Sequence, residues 1–286
     1  MTQLDTPVPA ESVPETAAPR LAVPKGDDRY LLETKGIAIR FGGVQALGGV
    51  DFRVGPNEIV GVLGPNGAGK TTFFNCVSGF ATPNEGKVFI KGEDVTPMRP
   101  DERVIRGLGR TFQQVGLIRS FTLLENLLVA HHHKVAYGDG AGMFGMPWAR
   151  REERELRRRA MEVLDFFGIA HLAHRTLDGM PYGMLKLCEV AAVMAVDPDI
   201  LMLDEPLAGM APEEAAEFCD RLLVMRDQLN ISIVMIDHHV PQVLRVSDYV
   251  FVLSFGKLLA EGRAEEIRTN PAVAEAYMGE GATTLD

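Results

Sequence analysis

The stretch that most constrains this chain is Gly64-Pro65-Asn66-Gly67-Ala68-Gly69-Lys70-Thr71-Thr72. An apolar run, residues 59–63, precedes it, and a helix-compatible run, residues 73–77, follows it. Glycines at this spacing let the backbone curl until its N–H groups converge, and the start of a helix adds a dipole that favours an anion. The pattern G-x-x-x-x-G-K-[ST], between a strand and a helix, cradles the phosphates of a nucleoside triphosphate. A merely structural glycine turn accounts for that context less well. Lys70 supplies charge at the β and γ phosphates, and the Thr71 hydroxyl is placed to ligate Mg2+.

A second motif fits the first. The apolar run 200–203 leads into Asp204-Glu205-Pro206. Carboxylates at the C-terminal end of a buried strand lie where parallel α/β sheets bind their ligands. Asp204 is expected to hold Mg2+, directly or through water, and Glu205 to polarise the attacking water. Further strand-like runs fall at residues 31–40, 50–54, 231–236 and 249–253, and helical patterns at 123–132, 151–168, 183–196 and 212–229. Strand, helix, strand in that order predicts an α/β fold with a mostly parallel sheet. Residues 1–28 carry Pro7, Pro9, Pro14, Pro19 and Pro24 among Thr, Ala, Glu and Ser. Such a segment has too little apolar surface to offset its ordering entropy, so it is expected to be a disordered extension of one folded unit, residues 29–286. The Gly- and Met-rich stretch 136–147 reads as a long loop.

Composition narrows the function classes. The formal net charge of −10 argues against a general nucleic-acid binder, whose footprint is basic. No apolar run approaches the about 18 residues that cross a bilayer. Three cysteines without a CxxC pair give neither a disulfide framework nor a zinc site, and point to a reducing compartment. Successive His131, His132 and His133 would point in different directions on a helix, so they read as a helix surface rather than a metal site. The basic stretch 150–159 shares a helix with Leu156, Ala160, Val163, Leu164 and Phe167, which make one buried stripe opposite a solvated charged face.

From about Leu31 to Gly279 the sequence resembles the ATP-binding subunits of ABC transporters. The resemblance implies a P-loop NTPase core with an antiparallel β subdomain and a helical subdomain at about 114–196. Phe41, in Arg-Phe-Gly-Gly, matches the aromatic that stacks on adenine. Gln113, in Gly-Arg-Thr-Phe-Gln-Gln, matches the glutamine that reaches toward Mg2+ and the water and senses the membrane subunit, with Gln114 as the alternative. His238 matches the histidine that contacts the γ-phosphate, with His239 competing. Within the superfamily, residues 109–113, the run 121–132, the long stretch before the charged helix and the ending 267–279 look like branched-chain amino-acid importers. Urea/amide importers and lipopolysaccharide exporters share some of these traits, and a non-transport ATPase of the same fold is the remaining rival.

Two departures stand out. The family signature, normally Leu-Ser-Gly-Gly-Gln, aligns with Met180-Pro181-Tyr182-Gly183-Met184, so Pro181 replaces the serine and Met184 the glutamine. Ala192 stands where a basic residue is usual, and Ala211 replaces an aspartate in the loop after Glu205. Each ATP in such dimers lies between one subunit's phosphate loop and the other's signature. The resemblance therefore implies ATP and Mg2+ as cofactors and a second ATP-binding subunit, with a heterodimer favoured. It also implies two membrane-spanning permease subunits and, indirectly, a periplasmic solute-binding protein, at the cytoplasmic face of the inner membrane.

Overall fold

The computed structural model describes residues 30–112, 116–130 and 147–278. Residues 1–28, the stretch 136–146, Gln113, Gln114 and the histidines 131–133 lie outside the described residues.

Two sheets organise the described residues. The first is antiparallel, in the order β2-β1-β4-β5, from β1 (Leu32–Phe41), β2 (Val44–Val54), β4 (Glu85–Ile90) and β5 (Glu93–Asp94). The second has the order β10-β9-β3-β8-β7-β6. Its strands are β3 (Ile59–Leu63), β6 (Leu108–Arg110), β7 (Ile200–Asp204), β8 (Ser232–Ile236), β9 (Tyr249–Ser254) and β10 (Lys257–Gly262). All neighbours in it pair in parallel except β10 with β9.

The central strands β3, β7 and β8 are buried at every position. Successive side chains of a strand point to opposite faces, and each face here has its own apolar layer. Ile59, Leu63, Leu201, Leu203, Ile233 and Met235 join one core. That core includes residues of α3 (Leu123–Ala130), α4 (Pro147–Phe166), α5 (Tyr182–Met194), α6 (Pro212–Leu229) and α7 (Val240–Val246). Val60, Val62, Ile200, Met202, Val234 and Ile236 join a second core with the antiparallel sheet and with α1 (Lys70–Ser78). A sheet covered on both faces reads as continuous apolar runs rather than alternation, which is why these strands are visible in the sequence.

The helix expected at 212–229 has those bounds, that expected at 183–196 runs Tyr182–Met194, and that expected at 123–132 is described over Leu123–Ala130. The helix expected at 151–168 opens already at Pro147, a residue suited to a first helical turn. Its charges cancel locally: Arg157 pairs with Glu153, Arg158 with Glu155 and Glu162, and Arg159 with Glu155. The Arg158 and Arg159 guanidiniums hold the Glu155 carboxyl down to about 2. Ala160, Leu164 and Phe167 are buried beneath this charged face. The first half of β2, the strands β4, β5, β6 and β10, and the short helices α2 (Pro100–Ile105), α8 (Ala264–Arg268) and α9 (Pro271–Met278) lie beyond the sequence expectations.

The phosphate-loop helix α1 ends on Gly79, in the left-handed region at φ 84°. The Gly79 N–H reaches Cys76 O at 3.4 Å, and Arg103 from α2 brings further donors to this helix end. Arg103 is 1% exposed, and its guanidinium donates to Cys76 O and Val77 O, both at 2.7 Å, to Thr96 O at 3.0 Å and to Met98 O at 3.2 Å. A buried cation at a helix C-terminus also meets the negative end of its dipole. Arg103→Met strands those acceptors and should cost at least about 3 kcal/mol, roughly 6–12 °C in the midpoint of a thermal melt.

Candidate active site

The loop between β3 and α1 is built to an unusually tight specification. Gly64 is buried at φ +148°, and a Cβ there would stand 2.2 Å from Leu253 O on β9. Gly69, at φ +98°, would meet Ala46 O of β2 at 2.7 Å. Gly256, in the β9–β10 turn, closes the bracket: its N–H donates to Ala68 O at 3.0 Å and its carbonyl accepts from Gly48 N–H at 2.7 Å. At Gly64 and Gly69 the loop is thus pressed against neighbouring backbone with no space for a side chain. The first turn of α1 carries neither an acidic residue nor a side-chain cap, which leaves its N-terminus fit for an anion. Lys70 is 6% exposed and folds its ammonium back onto the carbonyls of Gly64 and Pro65.

A cleft of about 380 Å³ opens over this loop. Asn66 to Thr72, Glu205, His238, Val44 to Ala46, Phe255 and Gly256 line it. Glu205 follows β7 with a left-handed backbone, φ 48°, and its N–H donates to Ile236 O at 2.8 Å. That pair ties the ends of β7 and β8 together and brings His238 Nε2 to 2.8 Å from Glu205 Oε1. His239 instead precedes α7 and gives its N–H to Asp237 at 2.9 Å. Phe41 ends β1 opposite Val44, 56% exposed, so the two share a sheet face at the cleft's edge.

Asp204 lies deeper. Its carboxylate is 3% exposed and takes a hydrogen bond from Arg110 at 2.8 Å. Arg110 also donates to Asn75 Oδ1 and Ser78 Oγ of α1, and its guanidinium sits 5.5 to 5.7 Å from the ring centres of Phe74, Phe80 and Phe112. Asp237, equally buried, accepts Leu207 N–H at 2.9 Å as well as His239 N–H, fixing the loop after Glu205. Burial pushes the Asp237 carboxyl up, against those two bonds and the nearby His239 and His238.

Pro181 sits at the N-cap of α5, exposed, with Tyr182, Gly183 and Met184 in the first turn. These residues do not line the nucleotide cleft. Gly183 and Met184 face a small hollow of about 140 Å³ beside Met210, Glu214 and Arg221. Ala192 is buried in the core, and the buried cation of α5 is Lys186 instead. Lys186 donates to Phe112 O at 2.7 Å and pairs with Glu189 at 3.2 Å. Glu189 Oε1 in turn accepts the N–H groups of Phe112 and Gly116. Helix α5 therefore holds Phe112 and Gly116, on either side of residues 113–115.

Arg110, Lys186, Glu189 and Asp237 were not among the sequence candidates. For Asp237 a signal existed, since it ends an apolar strand just as Asp204 does. Lys186 and Glu189 have the i, i+3 spacing of a helical pair, but nothing local marks them as buried.

Residues 47–208 match the ABC transporter family, and residues 257–283 match the branched-chain amino acid ATP-binding cassette transporter C-terminal segment. This chain belongs to the ABC transporter family of ATP-binding cassettes. It is 39% identical over 252 residues to a high-affinity branched-chain amino acid transport ATP-binding protein, BraF, of Pseudomonas aeruginosa, covering 88% of this chain and 99% of that one. To the corresponding LivG protein of Escherichia coli K12 it is 40% identical over 251 residues, 87% of this chain and 98% of the other. An ATP-binding cassette of an ABC transporter, solved in its ADP conformation, superposes with a TM-score of 0.77 at 31% identity, covering 87% of this chain and 99% of that one. The fold is that of an ABC ATPase, and ATP hydrolysis is the activity the family implies.

The Arg110–Asp204 pair makes a stability prediction. Arg110→Met leaves a buried carboxylate without its cation and should cost about 3–5 kcal/mol in urea unfolding of the nucleotide-free protein. Adding Asp204→Asn should recover part of that loss, so the double-mutant cycle should be strongly non-additive.

Proposed function

We propose that this chain is the ATP-hydrolysing subunit of an importer for branched-chain or closely similar amino acids. It pairs with a second ATP-binding subunit and docks on two permease subunits at the cytoplasmic face of the inner membrane. The observation that carries the catalytic half is the contact between Glu205 and His238 above the phosphate loop, at 2.8 Å. The names of the BraF and LivG relatives and the C-terminal segment support the solute class. Among the described residues no helix is long and apolar enough to cross a membrane, which supports a peripheral subunit held by partners. The region around Gln113 to Arg119 and the helical segment after it form the docking surface, with a solute-binding protein acting from the periplasm.

In this reading the N–H groups of the loop and the α1 N-terminus hold the phosphates of ATP, with Asn66 and Thr72 at the walls, and Lys70 turns from the loop carbonyls to the β and γ phosphates. Phe41 stacks the base. Mg2+ suits the donor set: a hydroxyl at Thr71 and a carboxylate at Asp204, with Gln113 as a third oxygen, are hard ligands beside a triphosphate. When bound, it offsets charge on the β and γ phosphates. Glu205 takes a proton from the attacking water, and His238 holds the Glu205 carboxylate in place while its ring faces the γ-phosphate. Glu205→Gln keeps the size and loses the base, so turnover should fall about 10²–10⁴-fold while ATP binding persists. Near-parental turnover in that variant would remove Glu205 from the role.

The altered signature bears on the partner's ATP, because Pro181, Tyr182, Gly183 and Met184 do not line this chain's own cleft. Losing a serine hydroxyl at the γ-phosphate removes a charge-assisted hydrogen bond of about 1.5–3 kcal/mol, a factor of roughly 10–100. The helix start behind Gly183 is kept, which limits the loss. In an asymmetric heterodimer, Glu205→Gln here should therefore cost more total ATPase activity than the equivalent change in the second subunit. Equal losses would mean that the Pro181 and Met184 substitutions are neutral.

A further inference from the structure

The C-terminal segment has no part in the chemistry above, yet one of its side chains touches the phosphate loop. Helix α9 is seated by Val273, which is fully buried in the larger core, and by Tyr277, half-buried against the same core. The two are four residues apart and so share one helix face. From that face the Tyr277 hydroxyl accepts the N–H of Gly64 at 2.7 Å. Gly64 is the pivot where β3 becomes the loop. Its Cα side is closed by Leu253 O, its carbonyl takes the Lys70 ammonium, and its N–H goes to Tyr277. Because Gly64 is buried, its N–H would otherwise lose a hydrogen bond that water cannot easily replace.

We propose that Tyr277 is a positioning residue for ATP: its hydroxyl fixes the orientation of the Gly64 peptide, and with it the register in which the following N–H groups and Lys70 converge on the phosphates. This gives the C-terminal segment, residues 257–283, a role at the nucleotide site. The inference rests on the reading of the loop as the ATP site. Tyr277 touches no reacting atom, and the loop holds the phosphates alike in the ground and transition states. Its loss therefore belongs in binding, raising KM, and spares turnover at saturation.

Tyr277→Phe keeps the ring and deletes the hydroxyl. With the full chain and its partner subunits, that variant should bind a fluorescent ATP analogue about tenfold more weakly, the scale of one buried hydrogen bond, and raise KM for ATP by a similar factor. Its kcat should stay within about twofold. Tyr277→Leu, which also removes ring packing, should lower the melting midpoint of the nucleotide-free chain much further than Tyr277→Phe does. Affinity and KM within twofold of the parent in Tyr277→Phe would overturn the proposal and leave the tyrosine a packing residue. Lys70→Ala provides the separate check: retained ATP binding in it would overturn the site reading itself. If Lys70→Ala abolishes binding while Tyr277→Phe leaves it unchanged, only the positioning role falls.

Discussion

Burial of the central parallel sheet on both faces is the constraint from which the site follows. With Ile59 and Leu63 packed on one side and Val60 and Val62 on the other, β3 has no free face for polar chemistry. Open ground lies at the strand ends. The loop after β3, Asp204 and Glu205 at the end of β7, and Asp237 and His238 at the end of β8 stand there, while Phe41 and Val44 to Ala46 come from the antiparallel sheet. The site is precise because the sheet behind it is dry and close-packed, and it is polar because the sheet cannot be.

The ionic groups near the site obey a related rule. Arg103, Arg110 and Lys186 have nearly fully buried side chains, and each meets backbone carbonyls or a carboxylate within hydrogen-bond distance. Isolated charges at such depth would be untenable, so each cation is found beside helix ends, loop carbonyls or an acid that also needed a partner. Together they tie α1, β7, α5 and the Gln113 segment into one frame. A net charge of −10 conceals this, because the cations that matter to the frame are inside.

What could be read from the sequence was what local pattern encodes. The glycine loop, the apolar run ending in Asp204-Glu205 and the α6 helix from Pro212 to Leu229 all announce themselves within about ten residues, through turn chemistry and periodicity. Much of the antiparallel sheet did not. Strand β4 begins with exposed Glu85, Gly86 and Lys87, and in the first half of β2 only Leu47 is buried, so neither shows a clean alternation. The supporting residues were illegible for a different reason. Arg110 meets Asp204 across 94 residues, Lys186 meets Phe112 across 74, and Tyr277 meets Gly64 across 213. Single charged or aromatic residues gain their meaning only from such distant neighbours, and no spacing rule reaches that far.

The order of strands has a consequence for how the molecule is made. β3 lies between β8 and β9, with Ile59 beside Ile233 and Val60 beside Tyr249. Synthesis delivers the phosphate loop early and its two flanking strands late. Contacts this distant in sequence are slow to close and form only when most of the chain is available. A nascent chain on the ribosome therefore carries its nucleotide loop without the walls that shape it. The walls of the cleft close only after α3, α4 and α5 have been made, because β8 and β9 come later in the chain.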